Sequence, residues 1–437
     1  MRDLLVTLLV FGSLPFIFKR PPFGVVMWIW ISVMNPHSQG WGFARTFPFA
    51  AVIAGAIVAA MFLHKDKYRL PAHPVTWVFL AFMGWMSVTS LFSIHGVDVV
   101  TQQWIKVYKI FGMTAVVMML VRTRQEIEWL VWTVVVSLGF YGVKGGLFTL
   151  RSGGNFRVWG PEGTFIDGNN EVALALVIVI PLMYYLIGNV RPRWAKGALV
   201  GAMLLCALAS LGSYSRGAAL AIGAMTTVLW LKSRNKLPLG ALLAMAVPFL
   251  VLLMPSQWHE RIDTINTYEE DTSAMGRINA WRMAFNLAND RPLGGGFEIY
   301  DGQVFARYAP IPTDVHAAHS IYFQVLGEHG WLGLALYLAL GVMTWRTGAA
   351  IVRQAKGVPE LDWALRLATM LQVSLVGFAV GGAFLSLAYF DVPYLLMAAM
   401  VATRLLVARQ TAPRRRPMAR PLGRHPEAGA DTGVAQA

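Results

Sequence analysis

The chain has 437 residues, of which 56% are apolar and only 14% charged, with a mean hydropathy of +0.52. An ordinary soluble domain is about 25% charged, so this chain lacks the charge to cover a water-facing surface. A soluble enzyme, a disordered scaffold and a disulfide-rich secreted module are excluded. The balance of 37 Lys and Arg against 23 Asp and Glu leaves +14. The basic residues lie in short clusters between apolar runs, as in a membrane protein, so the charge does not imply a nucleic-acid partner.

The chain opens on two short apolar runs, Leu4–Phe18 and Phe23–Met34, separated by Lys19-Arg20-Pro21-Pro22. No small-residue cleavage site follows the first run, so it does not read as a signal peptide. The basic pair favours a hairpin with its turn in the cytoplasm, and the parity of these first segments stays open. Apolar stretches then recur at 47–63, 74–92, 104–121, 127–150, 171–188, 194–211, 216–231, 237–254, 321–345, 363–387 and 391–408. Several reach the roughly 17–25 residues of a spanning helix, and the alternating segments of a membrane barrel are absent. The expectation is an all-α polytopic membrane protein with about 12 transmembrane helices. The single cysteine, Cys206, lies in an apolar run and excludes an intrachain disulfide.

Basic and non-basic loops alternate. Lys65, Lys67 and Arg69 mark one basic loop, and Arg122 and Arg124 the next. Arg191, Arg193 and Lys196 follow, then Lys232, Arg234 and Lys236, then Arg353 and Lys356. The positive-inside rule makes these cytoplasmic and puts 93–103, 151–170, 212–216, 255–320 and 388–390 on the opposite side. The expected domains are 1–254, N-terminal helices; 255–320, a long partly helical loop; 321–408, C-terminal helices; and 409–437, a basic disordered tail that meets anionic lipid.

The loop 255–320 is the one long polar insertion, and such loops are functional or disordered. Ile278, Trp281, Phe285 and Ala288 recur at helical spacing, with Ser273 as a plausible N-cap. Arg277 falls in the first turns of that helix and Arg282 further along it. These arginines are either solvated partners of Glu269, Glu270 and Asp271 or part of a site. In Ser213-Tyr214-Ser215-Arg216-Gly217, Arg216 stands at the mouth of the next span. It either snorkels to water or clamps an anion, since a guanidinium fork suits phosphate oxygens. Gly217 would let another group approach closely.

Asp314-Val-His316-Ala-Ala-His319-Ser320-Ile-Tyr322 leads into a long apolar run. With Asp314 as cap, His316 and His319 share a face of the first turns. A helix start disfavours imidazolium, and a neutral histidine can act as a general base; the alternative is a structural pair at a wet interface. No third ligand completes a metal site, and neither a phosphate-binding GxxxxGK[ST] loop nor a nucleophile elbow is present. Two arginines and a histidine on one membrane face suggest transfer from a lipid-phosphate donor to a hydroxyl acceptor.

Four stretches resemble the O-antigen ligase/polymerase family in order and spacing: S-Y-S-R-G at 213–217, S-A-M-G-R-I-N-A-W at 273–281, D-R-P-L-G-G-G-F at 290–297 and H-S-I-Y-F-Q-V-L-G-E-H-G-W-L-G-L at 319–334. G-T-F-I-D-G-N-N at 163–170 resembles an earlier periplasmic loop of that family. The first 70 residues or so resemble its branch of O-glycosylation ligases found beside exosortase systems. Many members have Asn where this chain has Ser320. The resemblance implies a GT-C-type glycosyltransferase of the bacterial inner membrane, with its active site facing the periplasm. It implies an undecaprenyl-diphosphate-linked glycan as donor, lipid A–core as acceptor, and no cofactor. By motif, Arg216 and Arg277 would hold the diphosphate and His319 would be the base. Ser215 and Tyr322, in those stretches, and Arg282 and His316, just outside them, are candidate substrate-binding residues. The expected chemistry is one inverting displacement without a metal. A polymerase or protein oligosaccharyltransferase of the same family is the nearest alternative. A lipid-linked-glycan flippase is the alternative of another class, and the repeats expected of a transporter are not visible.

Overall fold

The computed structural model describes residues 1–64, 68–233 and 272–411, with short pieces at 236–238, 240–241, 244–245 and 248. Most of the expected span 237–254, the acidic run Glu269-Glu270-Asp271, Lys65, Lys67, Arg234 and the tail from 412 onward lie outside the described residues. Among the described residues the regular elements are all helices. They are α1 (Arg2–Lys19), α2 (Pro21–Ile29), α3 (Phe49–Leu63), α4 (Pro74–Leu91), α5 (Val97–Leu120), α6 (Arg124–Arg151), α7 (Asn169–Asn189), α8 (Arg193–Gly212) and α9 (Arg216–Lys232). After the gap come α10 (Thr272–Asp290), α11 (Gly302–Tyr308), α12 (Ile321–Ala355), α13 (Asp362–Gly381) and α14 (Asp391–Thr411). Seven of the helical stretches are long and apolar enough to cross a membrane, and Pro21–Met34 and Phe49–Leu63 are shorter apolar helices. The chain is an integral membrane protein.

Local chemistry sets the helix ends. Pro21 and Pro74 occupy first-turn positions of α2 and α4, where a missing N–H costs nothing. Thr123 and Glu126 form a reciprocal capping box on α6, and Asp301 accepts from Gln303 N and Val304 N to start α11. Helices α7 and α14 bury most of their side chains, as helices apolar all round do at a bundle's centre. Outer helices expose large apolar groups, among them Trp77, Leu204 and Leu338.

Hydrogen bonds sort the connections into two ends. At one end, Arg2 Nη1 donates to Gln39 O and Gly42 N to Asp3 Oδ1, and Arg45 pairs with Glu162 at 3.4 Å. Ile94 N donates to Gly295 O at 2.9 Å, and Val158 N to Gly212 O at 3.0 Å. The start of α1 is therefore at the same end as the loops after α2, α4, α6 and α8, and Lys19-Arg20 turns at the other. There His64 Nε2 meets Phe18 O at 2.8 Å, Arg122 lies over Tyr68, and Arg124 over Trp363. The N-terminal parity left open by the sequence is thus a hairpin with its basic turn at the end that holds the other described basic loops.

The polar insertion packs onto the first of these ends. The buried face of α10 is Asn279, Ala280, Met283, Ala284, Leu287 and Ala288, so the stripe expected from periodicity sits about one residue off. Trp281 instead stacks on Phe323 at 5.1 Å, and the exposed Phe285 meets Trp331 edge-on. Ser273 lies inside α10 rather than capping it. The turn after α10 docks into a break in α12: Gly295 N donates to Gly327 O and Gly296 N to Glu328 O, both at 2.9 Å. Gly330 sits at the break with φ 67 and ψ −171. A Cβ there would lie 2.0 Å from Pro292 O. The glycines make a tight joint between two elements.

Candidate active site

The turn from α8 to α9 is tied down by its own serines. Ser213 Oγ donates to Ser210 O at 2.6 Å and accepts from Ser215 N at 3.2 Å. Asn169 Nδ2, at the start of α7, donates to Ser213 O at 2.7 Å. Tyr214 takes a left-handed backbone, φ 61, and its hydroxyl donates to Gly154 O. Ser215 Oγ then accepts from Ala218 N at 3.2 Å, a cap that satisfies an orphan N–H of α9. Arg216 is consequently the first residue of that helix, held at a fixed angle.

Arg277, from the early turns of α10, meets Arg216 across a narrow cleft of about 20 Å³ that Asn170, Tyr214, Ser215 and Leu385 also line. That volume is room for about one water. Glu171, next to Asn170, interacts electrostatically with Arg277, and the Arg157 guanidinium lies 5.8 Å from the Tyr214 ring centre. Gly217 does permit a close approach, but the partner is the protein itself: a Cβ would lie 3.3 Å from Phe384 Cβ.

The histidines lie before the helix, not in it. Helix α12 starts at Ile321, with Ser320 as an N-cap that makes no side-chain cap bond. Asp314 is occupied elsewhere: its Oδ1 is 2.7 Å from His316 Nε2. Asn279 holds the strand of chain around it, donating to the carbonyls of Ile311 and Asp314 at 2.9 Å each and accepting from Ile311 N. His316 packs over Gly276, whose Cβ, if present, would lie 2.4 Å from His316 Cδ2. His319 is half-buried with φ 41, and its N–H donates to Ser386 Oγ at 2.9 Å. Burial, then the Arg277 guanidinium and His316, push the His319 imidazole down to about 4. It is neutral at neutral pH, since a cation beside it and partial desolvation both disfavour imidazolium.

Arg216, Arg277 and Ser215 therefore share one cleft, and His319 lies within the field of Arg277 and His316. Arg282 is exposed, five residues past Arg277 and so roughly 140° round the helix. Tyr322 is directed elsewhere: its hydroxyl donates to Ala379 O at 2.8 Å. It lines an apolar cavity of about 330 Å³ between α12, α13 and α14. Sequence reasoning missed Asn170 and Tyr214 as lining residues, although both belong to motifs it singled out. It had no signal for Ser386.

Residues 201–338 match the family described as O-antigen ligase, and residues 1–190 match a family of unknown function. No curated protein matches the chain. The first match takes in Arg216, Arg277 and His319 and ends eight residues past the break in α12.

Proposed function

We propose that this chain, whose residues 201–338 belong to the O-antigen ligase family, is the ligase itself. It transfers a glycan from undecaprenyl diphosphate to a sugar hydroxyl of lipid A–core. The reading takes the end that carries 272–320 as periplasmic, the basic end as cytoplasmic, about twelve spans and a GT-C-type architecture in the bacterial inner membrane. The observation that carries it is the meeting of Arg216 and Arg277 in one cleft, with a neutral His319 in the field of Arg277.

In this reading Arg216 and Arg277 hold the donor diphosphate at the mouth of the cleft, which itself takes only about one water, by charge-assisted fork contacts, and the apolar cavity beside Tyr322 takes part of the lipid chain. The acceptor hydroxyl gives its proton to an imidazole nitrogen of His319 as its oxygen bonds to the anomeric carbon. The bond from that carbon to the phosphate oxygen breaks, undecaprenyl diphosphate leaves, and one displacement inverts the centre. The two guanidiniums stabilise the charge that grows on the leaving oxygen. An imidazole at about 4 is a weak base, but the arriving diphosphate offsets the Arg277 charge and raises its basicity toward working pH. A site confined to one end of the bundle suits an enzyme working on one leaflet better than a flippase, which needs access from both.

The test is transfer by purified protein from lipid-linked glycan to lipid A–core, with donor binding measured separately. His319→Ala is expected to lose at least about 10²-fold in rate while still binding donor. A variant that transfers at the wild-type rate, or that fails because donor no longer binds, removes His319 as base. Extension of the donor's own glycan, with lipid A–core ignored, would make the chain a polymerase.

A further inference from the structure

We propose that Ser386 is the positioning residue for His319, holding it in its working orientation beside the arginine cleft; this rests on the reading of His319 as the base. Two observations meet at this serine. Its Oγ accepts the His319 N–H at 2.9 Å across 67 residues of sequence, and His319 has φ 41. Residues with a Cβ seldom adopt that left-handed backbone, and when they do the surroundings must over-determine it. Ser386 supplies that constraint from outside the local chain.

The segment that carries Ser386 is itself rigid. Ala388 N donates to Gln324 Oε1 at 3.2 Å, and Ala388 O accepts from Tyr394 OH at 2.6 Å. The Tyr389 hydroxyl bonds Glu328 and lies 2.8 Å from His329 Nε2, while His329 Nδ1 is 2.7 Å from Thr89 Oγ1. All of these groups but Gln324, itself only slightly exposed, are almost fully buried. The same segment begins with Phe384 and Leu385, which wall the arginine cleft. One anchored stretch of chain therefore forms a wall of the cleft and fixes the backbone of the histidine, which sets the spacing between diphosphate and base. It lies outside residues 201–338.

The experiment compares wild-type protein with Ser386→Ala, Ser386→Thr, His319→Ala and the Ser386→Ala/His319→Ala double variant, using lipid-linked glycan and lipid A–core. Small misplacements of a catalytic group are costly, so Ser386→Ala should lose at least about tenfold in kcat, with donor KM within about twofold. Ser386→Thr keeps the hydroxyl and should recover most of that loss. The double variant should be no slower than His319→Ala, because Ser386 acts only through His319. The proposal is overturned if Ser386→Ala keeps its kcat, if its loss is mainly in donor KM, if Thr is as slow as Ala, or if Ser386→Ala slows His319→Ala further. An active His319→Ala sinks the underlying base assignment. An inactive His319→Ala beside a fully active Ser386→Ala sinks only the positioning role.

Discussion

His319 owes its neutrality to three neighbouring causes: partial burial, the Arg277 guanidinium and His316. With His319 as the proposed base, protonation would remove it, so activity is expected to rise with pH as the imidazole loses its proton. In kcat/KM for donor, which reports the free enzyme, the acidic limb is expected near 4. In kcat, which reports the donor-bound enzyme, it should move upward, because the bound diphosphate cancels part of the Arg277 field. Identical limbs in the two profiles would mean that donor and histidine do not interact. The arginines carry their own prediction. Lysine keeps the charge but loses the fork, so Arg216→Lys and Arg277→Lys should each lose roughly 10²–10³-fold in kcat with the protein still inserted. EDTA should leave the wild type active. Loss in EDTA with recovery in Mg²⁺ would shift attention to the acidic run Glu269-Glu270-Asp271.

Helix α10 and the first turns of α12 work as one element because glycines let them interlock. Gly330 has a backbone conformation that only glycine adopts easily, and Pro292 O fills the space a side chain would need. Gly330→Ala should therefore lower the unfolding midpoint in detergent, at a cost on the order of 1–3 kcal/mol or more, and reduce transfer by loosening the joint that holds the end of α10, the helix that carries Arg277. Gly223→Ala, in α9 where no atom of the described residues lies within 4 Å of an added Cβ, should leave the midpoint unchanged or slightly higher. An equal effect of both substitutions would deny the joint its role. At this scale the sequence was only partly legible. The helix over Arg277 was visible from its period, yet the period alone misplaced the buried face, since Trp281 and Phe285 bind α12 by their rings rather than by burial. The Asp314 cap was misread because that carboxylate faces His316, while Asn279 ties down Ile311 and Asp314 and the helix starts only at Ile321. Ser386 was illegible: its contact with His319 depends on how α12, α13 and α14 pack, and nothing local records it.

The whole molecule is a bundle of apolar helices, and its membrane character was the most legible property, since apolar spans are local and additive signals. Arg122, Arg124, Lys232 and Arg366 gather at one end with their aromatic and polar partners. The cleft, both histidines and the glycine joint gather at the other. The N-terminal parity was not legible because short helices carry weak signals; the bonds from Arg2 and Asp3 to the 39–42 loop are what settle it. If charge orients the bundle as the positive-inside rule requires, the site end faces the periplasm. Cysteine labelling checks this. Cys206 is fully buried, and Cys206→Ala removes its thiol as background. In that protein, Ile311→Cys, at a position 49% exposed on the insertion, should react with an impermeant maleimide once the outer membrane is permeabilised. Trp194→Cys, at a position 78% exposed at the basic end, should react only after the inner membrane is also opened. The reverse pattern would invert the orientation and put the arginine cleft on the cytoplasmic leaflet, against the proposed function. Equal labelling of both before the inner membrane is opened would mean that the chain is not inserted as a spanning bundle.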